Sequence, residues 1–230
     1  MAGWVVISGA SRGIGAATAR RLAAEGRPTV AWARSAEDLE DVAEACARAG
    51  APSLARVVDV AEAGSVEAAV AALPAGRDVE GVVLNAGVGA WEALDKTTPD
   101  AWRTTIATNL DGAFYVLRAL WPRLVPRALI VGIGSDSGYE GRGGRAAYCA
   151  SKFGLRGLLE TARIDGSGLQ LRVSHLACGP VDTHFRDSRP GDRPGALSAA
   201  EVAEAVALLF GLPAHVEVPE LKLVSVDRRK

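Results

Sequence analysis

A chain of 230 residues with 26 basic and 27 acidic side chains carries a formal net charge of −1, which excludes a general attraction to nucleic acid or anionic membranes. Hydrophobic residues make up 49% of it, enough for one sizeable core, and no apolar run approaches the roughly 20 residues that span a bilayer. Cys46, Cys149 and Cys178 are odd in number and far apart, and His175, His184 and His215 are equally scattered, so neither a disulfide framework nor a metal site is expected. The opening MAGWVVISGA has no basic n-region and soon turns glycine-rich, so a cytoplasmic soluble protein is expected rather than a secreted one.

Short apolar runs alternate with helically spaced segments along the chain. Residues 4–9 (WVVISG) read as a strand, and 14–26 as a helix closed by Gly26. A second strand covers 28–33; Ser35 then opens a helix, in a capping-box arrangement with Asp38, that Gly50 closes. Strand 54–60, helix 65–73 and strand 80–87 follow. Thr98-Pro99-Asp100 starts a long helix to about Leu124, with Pro at its first position. Strand 127–135, helix 147–164 and strand 169–179 continue the alternation. The polar stretch 184–197 reads as a loop, Ser198 with Glu201 caps a final helix to about Gly211, and 220–226 is a last strand. This alternation predicts one α/β domain over 1–230: a Rossmann-type doubly wound parallel sheet, helices on both faces, with its ligand at the carboxyl ends of the strands.

Two short stretches point to chemistry. SGASRGIG (8–15) lies between the first strand and first helix, and Gly9, Gly13 and Gly15 permit a turn whose N–H groups can approach a pyrophosphate at the helix N-terminus. Glycine there can also serve packing alone, but the strand–loop–helix setting favours nucleotide binding. AAYCASKFG (146–154) sets Tyr148 and Lys152 four apart, on one helical face and roughly 6 Å from each other. A solvated Lys beside a half-buried Tyr is the ordinary reading of such a pair, and an acid–base pair the sharper one.

With both stretches present, the chain resembles the short-chain dehydrogenase/reductase family over nearly its whole length. SGASRGIG is similar to the family's T-G-x-x-x-G-I-G, with Ser8 for Thr, which keeps the hydroxyl; VDV (58–60) matches the strand-end Asp that contacts adenine. LNAG (84–87) is similar to N-N-A-G with Leu84 replacing the first Asn, at the expense of a polar contact between central strands. ATNLDGAF (107–114) carries the N-x-x-G segment, Ser135 stands at the family's distance before Tyr148, and CGPVDT (178–183) resembles P-G-x-V-x-T with Cys178 for Pro. Cys178 reads as a small packing residue in preference to a reactive thiol. The resemblance implies cofactor contacts from Gly9, Ser11, Arg12, Gly13, Ile14, Gly15, Asp59, Val60, Asn85, Ala86, Gly87, Val181 and Thr183.

It also implies the chemistry. Tyr148 is the expected general acid–base, its phenol drawn down from a pKa near 10 by the Lys152 ammonium, which would also hold the nicotinamide ribose, and by the positive nicotinamide ring of the oxidised cofactor. Ser135 is expected to hydrogen-bond the substrate oxygen, and Asn109 to hold a water linking Lys152 to solvent. Thr183 and the backbone of Val181 would hold the carboxamide. The implied activity is hydride transfer between NADP(H) and a ketone or secondary alcohol. An idle relative that binds NADP(H) as a sensor or interaction module is the alternative, which the complete Asn109–Ser135–Tyr148–Lys152 set disfavours.

The choice of NADP(H) over NAD(H) rests on charge. NAD-using relatives place a carboxylate at the end of the second strand, where this chain has Ala33 followed by Arg34, and Arg12 joins them from the glycine loop. Trp91, Tyr139 and a lid at 184–197, with His184, Arg186, Arg189 and Arg193, are expected to border the substrate; the lid reads as solvated, with attraction of an anion as the lesser reading. Trp102, Leu110, Phe114, Leu117, Trp121, Phe153, Leu155 and Leu158 supply more apolar surface than one sheet face needs. A homo-oligomer, tetramer or dimer, is therefore expected, with a small-molecule substrate and neither nucleic acid nor membrane as partner.

Overall fold

The structure, a computed structural model, describes residues 3–75 and 78–228. Its first five strands and first five helices alternate as expected: β1 (Trp4–Ser8), α1 (Gly13–Ala24), β2 (Thr29–Ala33), α2 (Ala36–Arg48), β3 (Ser53–Val57), α3 (Ala63–Ala71), β4 (Val79–Leu84), α4 (Pro99–Ile106), α5 (Gly112–Leu120) and β5 (Leu124–Ser135). Then come α6 (Ala146–Asp165), β6 (Arg172–Cys178), the short strands β7 (Val181–Asp182) and β8 (Leu197–Ser198), α7 (Ala199–Gly211) and β9 (Glu220–Leu223).

Seven strands form one parallel sheet in the order β3-β2-β1-β4-β5-β6-β9. Because helices cover both faces, strands read as unbroken apolar runs, and all five residues of β1 are buried. Alternate side chains then feed two cores. Val5, Ile7, Ala31, Val83 and Leu176 pack with Leu22, Leu39, Val206 and Phe210 on one face; Trp4, Val6, Trp32, Val82 and Ile130 pack with Val66, Val116, Leu120 and Leu155 on the other. The strand order reverses between β1 and β4. Crossovers leave these neighbours in opposite directions, opening a crevice beyond their carboxyl ends.

Several boundaries move for local reasons. The long helix expected to Leu124 is broken by a π-helical turn at Ala107–Asp111 and ends in a 3₁₀ turn at Trp121–Arg123, so β5 begins already at Leu124. The strand expected over 54–60 ends at Val57, which leaves Asp59 and Val60 in the following loop. Gln170 adopts a left-handed backbone (φ 53°) after a 3₁₀ turn at Gly166–Leu169, which delays β6 to Arg172. The final strand stops at Leu223. The 184–197 stretch is not wholly loop: Phe185–Asp187 make a tight turn kinked at Arg186, and β8 at its end pairs with β7.

Of the apolar side chains expected at an oligomer face, Leu117 and Leu155 belong to the core, whereas Trp102, Phe114 and Phe153 are exposed. Among the described residues no helix is long and apolar enough to cross a membrane, and no cluster of His, Cys, Asp or Glu is arranged to hold a metal.

Helix α7 lies against α1, the helix behind the glycine loop, and its start is fixed by a complete capping box. The Glu201 amide donates to Ser198 Oγ at 3.2 Å, and Glu201 Oε2 accepts from the Ser198 amide at 2.6 Å. The box expected at Ser35 is half made, with Asp38 N donating to Ser35 Oγ at 3.4 Å. Replacing Ser198 by Ala therefore costs about 1 kcal/mol. Thermal unfolding followed by circular dichroism should show Tm lowered by about 2–4 °C, and a shift below about half a degree would mean the box contributes nothing.

Candidate active site

The crevice at the β1/β4 reversal is held together by two side chains. Ser8, at the end of β1, accepts from the amides of Asn85 (3.0 Å) and Ala86 (3.1 Å). Asn85 Nδ2 in return donates to the carbonyls of Ser8 (3.0 Å) and Gly9 (2.9 Å). Leu84 is buried in the core, and these four bonds supply the tie between central strands that its side chain cannot make. The glycine loop lies so tightly on this joint that only glycine fits: a Cβ on Gly15 would stand 2.3 Å from the Gly9 carbonyl oxygen, and Gly9 itself has φ +63°. Ser11 and Ile14 are half-buried along the loop, and Arg12 is exposed at the start of α1.

Beside the loop lies a cleft of about 280 Å³ lined by Arg34, Asp59, Ala61, Arg103, Thr104, Ala107 and Thr108. Arg34 and Asp59 thus line one cleft. The Asp59 carboxylate is aimed by the Ala61 amide, which donates to its Oδ1 at 3.0 Å. Val60 is instead buried against Gly112 and does not line this cleft. Arg103 was not anticipated. Residues 103 and 107, and 104 and 108, are one turn apart on the face that α4 and the π turn present, a spacing that becomes informative only once the helix is placed against the cleft.

Across the crevice, Asn109 sits in the π turn and is buried. Its Oδ1 accepts from the Val88 amide at 2.8 Å, while its Nδ2 donates to Val88 O (2.9 Å) and Ser151 Oγ (3.0 Å). Both amide hydrogens are thus committed to framework partners, so the Asn109 side chain ties Val88 to Ser151. Ser151 Oγ passes the connection on by donating to the Tyr148 carbonyl at 2.8 Å. Gly87 is packed against the same Asn109 side chain.

Tyr148 and Lys152 are both buried on one face of α6, with the ammonium 5.7 Å from the phenol ring centroid. Lys152 Nζ donates to the Ile133 carbonyl at 2.8 Å. The expected depression of the phenol pKa is not what the protein groups alone produce. Burial pushes Tyr148 up to about 12, while a Ser135 hydrogen bond and the Arg145 charge act to lower it. Burial likewise draws Lys152 down to about 8. The physical reason is that taking either group out of water penalises its charged form more than its neighbours favour it. Ser135 stands at the end of β5, its hydroxyl donating to Asp136 Oδ1 at 2.9 Å. Cys178 is buried and its thiol is pushed up to about 12 by desolvation, which suits packing and disfavours a reactive thiolate.

The wall facing Tyr148 is aromatic. Trp91 lies 4.8 Å from the phenol ring and Phe185 lies 5.9 Å from both, centroid to centroid. Tyr139, expected at this wall, turns to the sheet edge, with its hydroxyl 2.9 Å from His175 Nδ1 and its ring under Lys222 and Arg156. Thr183 is buried next to Gly13 and accepts from the Phe185 amide at 3.3 Å. The Val181 carbonyl is taken by Arg193, which also holds Phe185 O and Ser188 Oγ; Arg193 therefore fastens the 184–197 segment, while His184 and Arg189 stay exposed.

The family described as short chain dehydrogenase matches residues 3–193. The NADP-dependent 3-hydroxy acid dehydrogenase YdfG of Salmonella typhi is 31% identical, over 97% of this chain and 95% of its own. A sulfoacetaldehyde reductase of Chromohalobacter salexigens is 34% identical, over 96% and 92%. In three dimensions the alcohol dehydrogenase of the archaeon Thermococcus sibiricus, complexed with 5-hydroxy-NADP, superposes with a TM-score of 0.94 at 35% identity, covering 100% of this chain and 99% of that one. Glycine loop, buried Tyr–Lys pair and whole-length similarity agree: the chain belongs to the short-chain dehydrogenase/reductase family.

Proposed function

We propose that the protein is an oxidoreductase acting between NADP(H) and a carbonyl or secondary-alcohol substrate, with Tyr148 as its general acid–base. The observation that carries this reading is the buried Tyr148 held beside Ser135, Lys152 and an aromatic wall at the mouth of the β1/β4 crevice. The dinucleotide fits the residues present. A Cβ on Gly15 would strike the Gly9 carbonyl oxygen and one on Gly9 would strike Ala86, so the loop turns tightly into the N-terminus of α1, where backbone amides suit a pyrophosphate, and the cleft with Arg34 and Asp59 has the size and charge for an adenosine with a 2′-phosphate. When bound, NADP(H) supplies the hydride.

The chain's own residues do the rest. Ser135 turns its hydroxyl from Asp136 to the substrate oxygen and stabilises charge developing there. Tyr148 gives that oxygen its proton in reduction and removes it in oxidation. An ammonium carries three donors, so the single bond of Lys152 to Ile133 leaves capacity for ribose hydroxyls while fixing the side chain's direction. Arg34, with Arg103 beside it in the cleft, would hold the 2′-phosphate, joined by the exposed Arg12 from the glycine loop. Thr183 and the backbone near Val181 would hold the carboxamide, and 184–197 would cover the substrate. Exposed Trp102, Phe114 and Phe153 on α4, α5 and α6 support a homo-oligomer, tetramer or dimer.

Three outcomes test this. Tyr148→Phe should remove turnover of a carbonyl panel while NADPH affinity stays within severalfold; retention of more than about a tenth of wild-type kcat would refute the acid–base role, which contributes about 10²–10⁴-fold. Arg34→Ala should lower the NADPH-to-NADH affinity ratio at least tenfold, about 1.4 kcal/mol, in fluorescence titrations; an unchanged ratio means the 2′-phosphate is held elsewhere. Sedimentation at micromolar concentration should show an oligomer, and a monomer there would remove the assembly from the proposal.

A further inference from the structure

The hydroxyl of Ser135 has a neighbour that hydride transfer does not need. It donates to Asp136 Oδ1 at 2.9 Å and accepts from the Ser137 amide at 3.2 Å. A hydroxyl has one hydrogen to give and two lone pairs to accept with. The hydrogen goes to Asp136 and one lone pair to Ser137, which leaves the other for the Tyr148 phenol, with which Ser135 also hydrogen-bonds. Phenol, hydroxyl and carboxylate therefore form one chain, each donating to the next. Its inner end is buried, with Tyr148 9% and Ser135 7% exposed, whereas the Asp136 side chain is 31% exposed and reaches solvent beside Arg142, whose Nη2 lies 3.0 Å from Oδ2. An ion pair so open to water contributes little to stability, and it uses the other carboxylate oxygen from the one turned inward to Ser135. The path through Asn109 and Ser151, by contrast, ends on the Tyr148 carbonyl and so does not touch the phenol's proton.

We infer that Asp136 is the port through which the active-site phenol exchanges protons with solvent, the Ser135 hydroxyl being the shuttle between them. The inference rests on the oxidoreductase reading and deepens it, by naming where the proton of each turnover enters and leaves. In reduction Tyr148 hands its proton to the substrate oxygen and is left as a phenolate. When the product alcohol departs, the Ser135 O–H bond breaks toward the phenolate oxygen while a new one forms with the proton of the Asp136 carboxyl, itself taken from hydronium or a buffer acid outside. Tyr148 ends neutral, Ser135 regains its hydrogen and Asp136 its charge. Oxidation runs the same transfers in reverse and releases the proton through Asp136. The shuttle works between turnovers, because with substrate bound the same hydroxyl serves the substrate oxygen. Asp136 thus acts through Ser135.

Exchange of the tyrosine hydroxyl protons with water tests the port without substrate or cofactor. It is read by NMR from the deuterium isotope shift at Cζ in mixed light and heavy water, and Tyr148→Phe assigns the signal. Asp136→Asn can still accept from Ser135 but cannot take up a proton, so it should slow Tyr148 exchange at least tenfold. Tyr139, whose hydroxyl meets His175 at the sheet edge, should exchange as in wild type. Glu140→Gln removes a carboxylate from the same Arg142 without touching Ser135 and should leave Tyr148 exchange unchanged. In steady-state reduction with NADPH, kcat of Asp136→Asn should fall and recover as imidazole buffer is raised, while wild-type kcat ignores the buffer; a merely structural loss would not respond. Unaltered Tyr148 exchange in Asp136→Asn, equal slowing by Glu140→Gln, or a variant kcat without buffer dependence overturns the inference while leaving the oxidoreductase reading intact. If no carbonyl compound is turned over, that reading fails, and the exchange rates alone decide for or against the port.

Discussion

One hydrogen-bonded joint sets the geometry on which the rest depends. Where strand order reverses, Ser8 and Asn85 exchange bonds between the ends of β1 and β4, so the glycine loop and the loop after β4 move as one body. That second loop is gripped again at Val88 by Asn109, whose remaining donor reaches Ser151, and Ser151 bonds the carbonyl of Tyr148. A continuous polar path therefore runs from the nucleotide loop to the helix bearing the phenol. Every member is a short side chain with few rotamers, and the path is largely shielded from water, where satisfied polar groups are worth most and unsatisfied ones cost most. The π turn at Ala107–Asp111 belongs to the same logic: a local widening of the helix delivers Asn109 to Val88 and Ser151 simultaneously.

The electrostatics follow from burial. With Tyr148 at about 12 and Lys152 at about 8, the fold holds a phenol reluctant to ionise beside an amine reluctant to stay charged. The signs differ for stability. Lys152 has a folded pKa below its unfolded one, so its cost is fully present below about pH 8 and is relieved as pH rises from there toward its ordinary range. Tyr148 has a folded pKa above its unfolded one, so stability is lost as pH climbs from the ordinary phenol range to about 12.

Much of this was legible in the sequence because the fold class is written in periodicity. Apolar runs with Gly and Ser punctuation located every long strand, and SGASRGIG and the Tyr148/Lys152 spacing located the site, since turn chemistry and helical spacing are local properties. What escaped was set by neighbours far along the chain. Arg103 lines the nucleotide cleft because of how α4 packs, and Tyr139 leaves the substrate wall because His175, Lys222 and Arg156 offer its hydroxyl and ring a better place at the sheet edge. The tuning of Tyr148 escaped too, because desolvation depends on everything packed around the phenol while a four-residue spacing reports only one neighbour.

The 184–197 segment shows the same limit most sharply. Its composition, rich in Arg, Asp, Gly and Pro, is that of a solvated loop, and nothing in the order of its residues separates one arginine from another. In three dimensions they part company. Arg193 becomes an internal fastener through the carbonyls of Val181 and Phe185, which stiffens the segment that presents Phe185 to Tyr148. Arg186 and Arg189 are both exposed, but Arg186 is turned by a left-handed backbone onto the Trp91 ring, over which Arg145 also lies. The wall facing the phenol is thus set by backbone conformations and ring placements at the crevice mouth, separately from the buried pair behind it. The first can diverge among relatives without disturbing the second, because the polar path from Ser8 to Tyr148 contains none of the residues that form the wall.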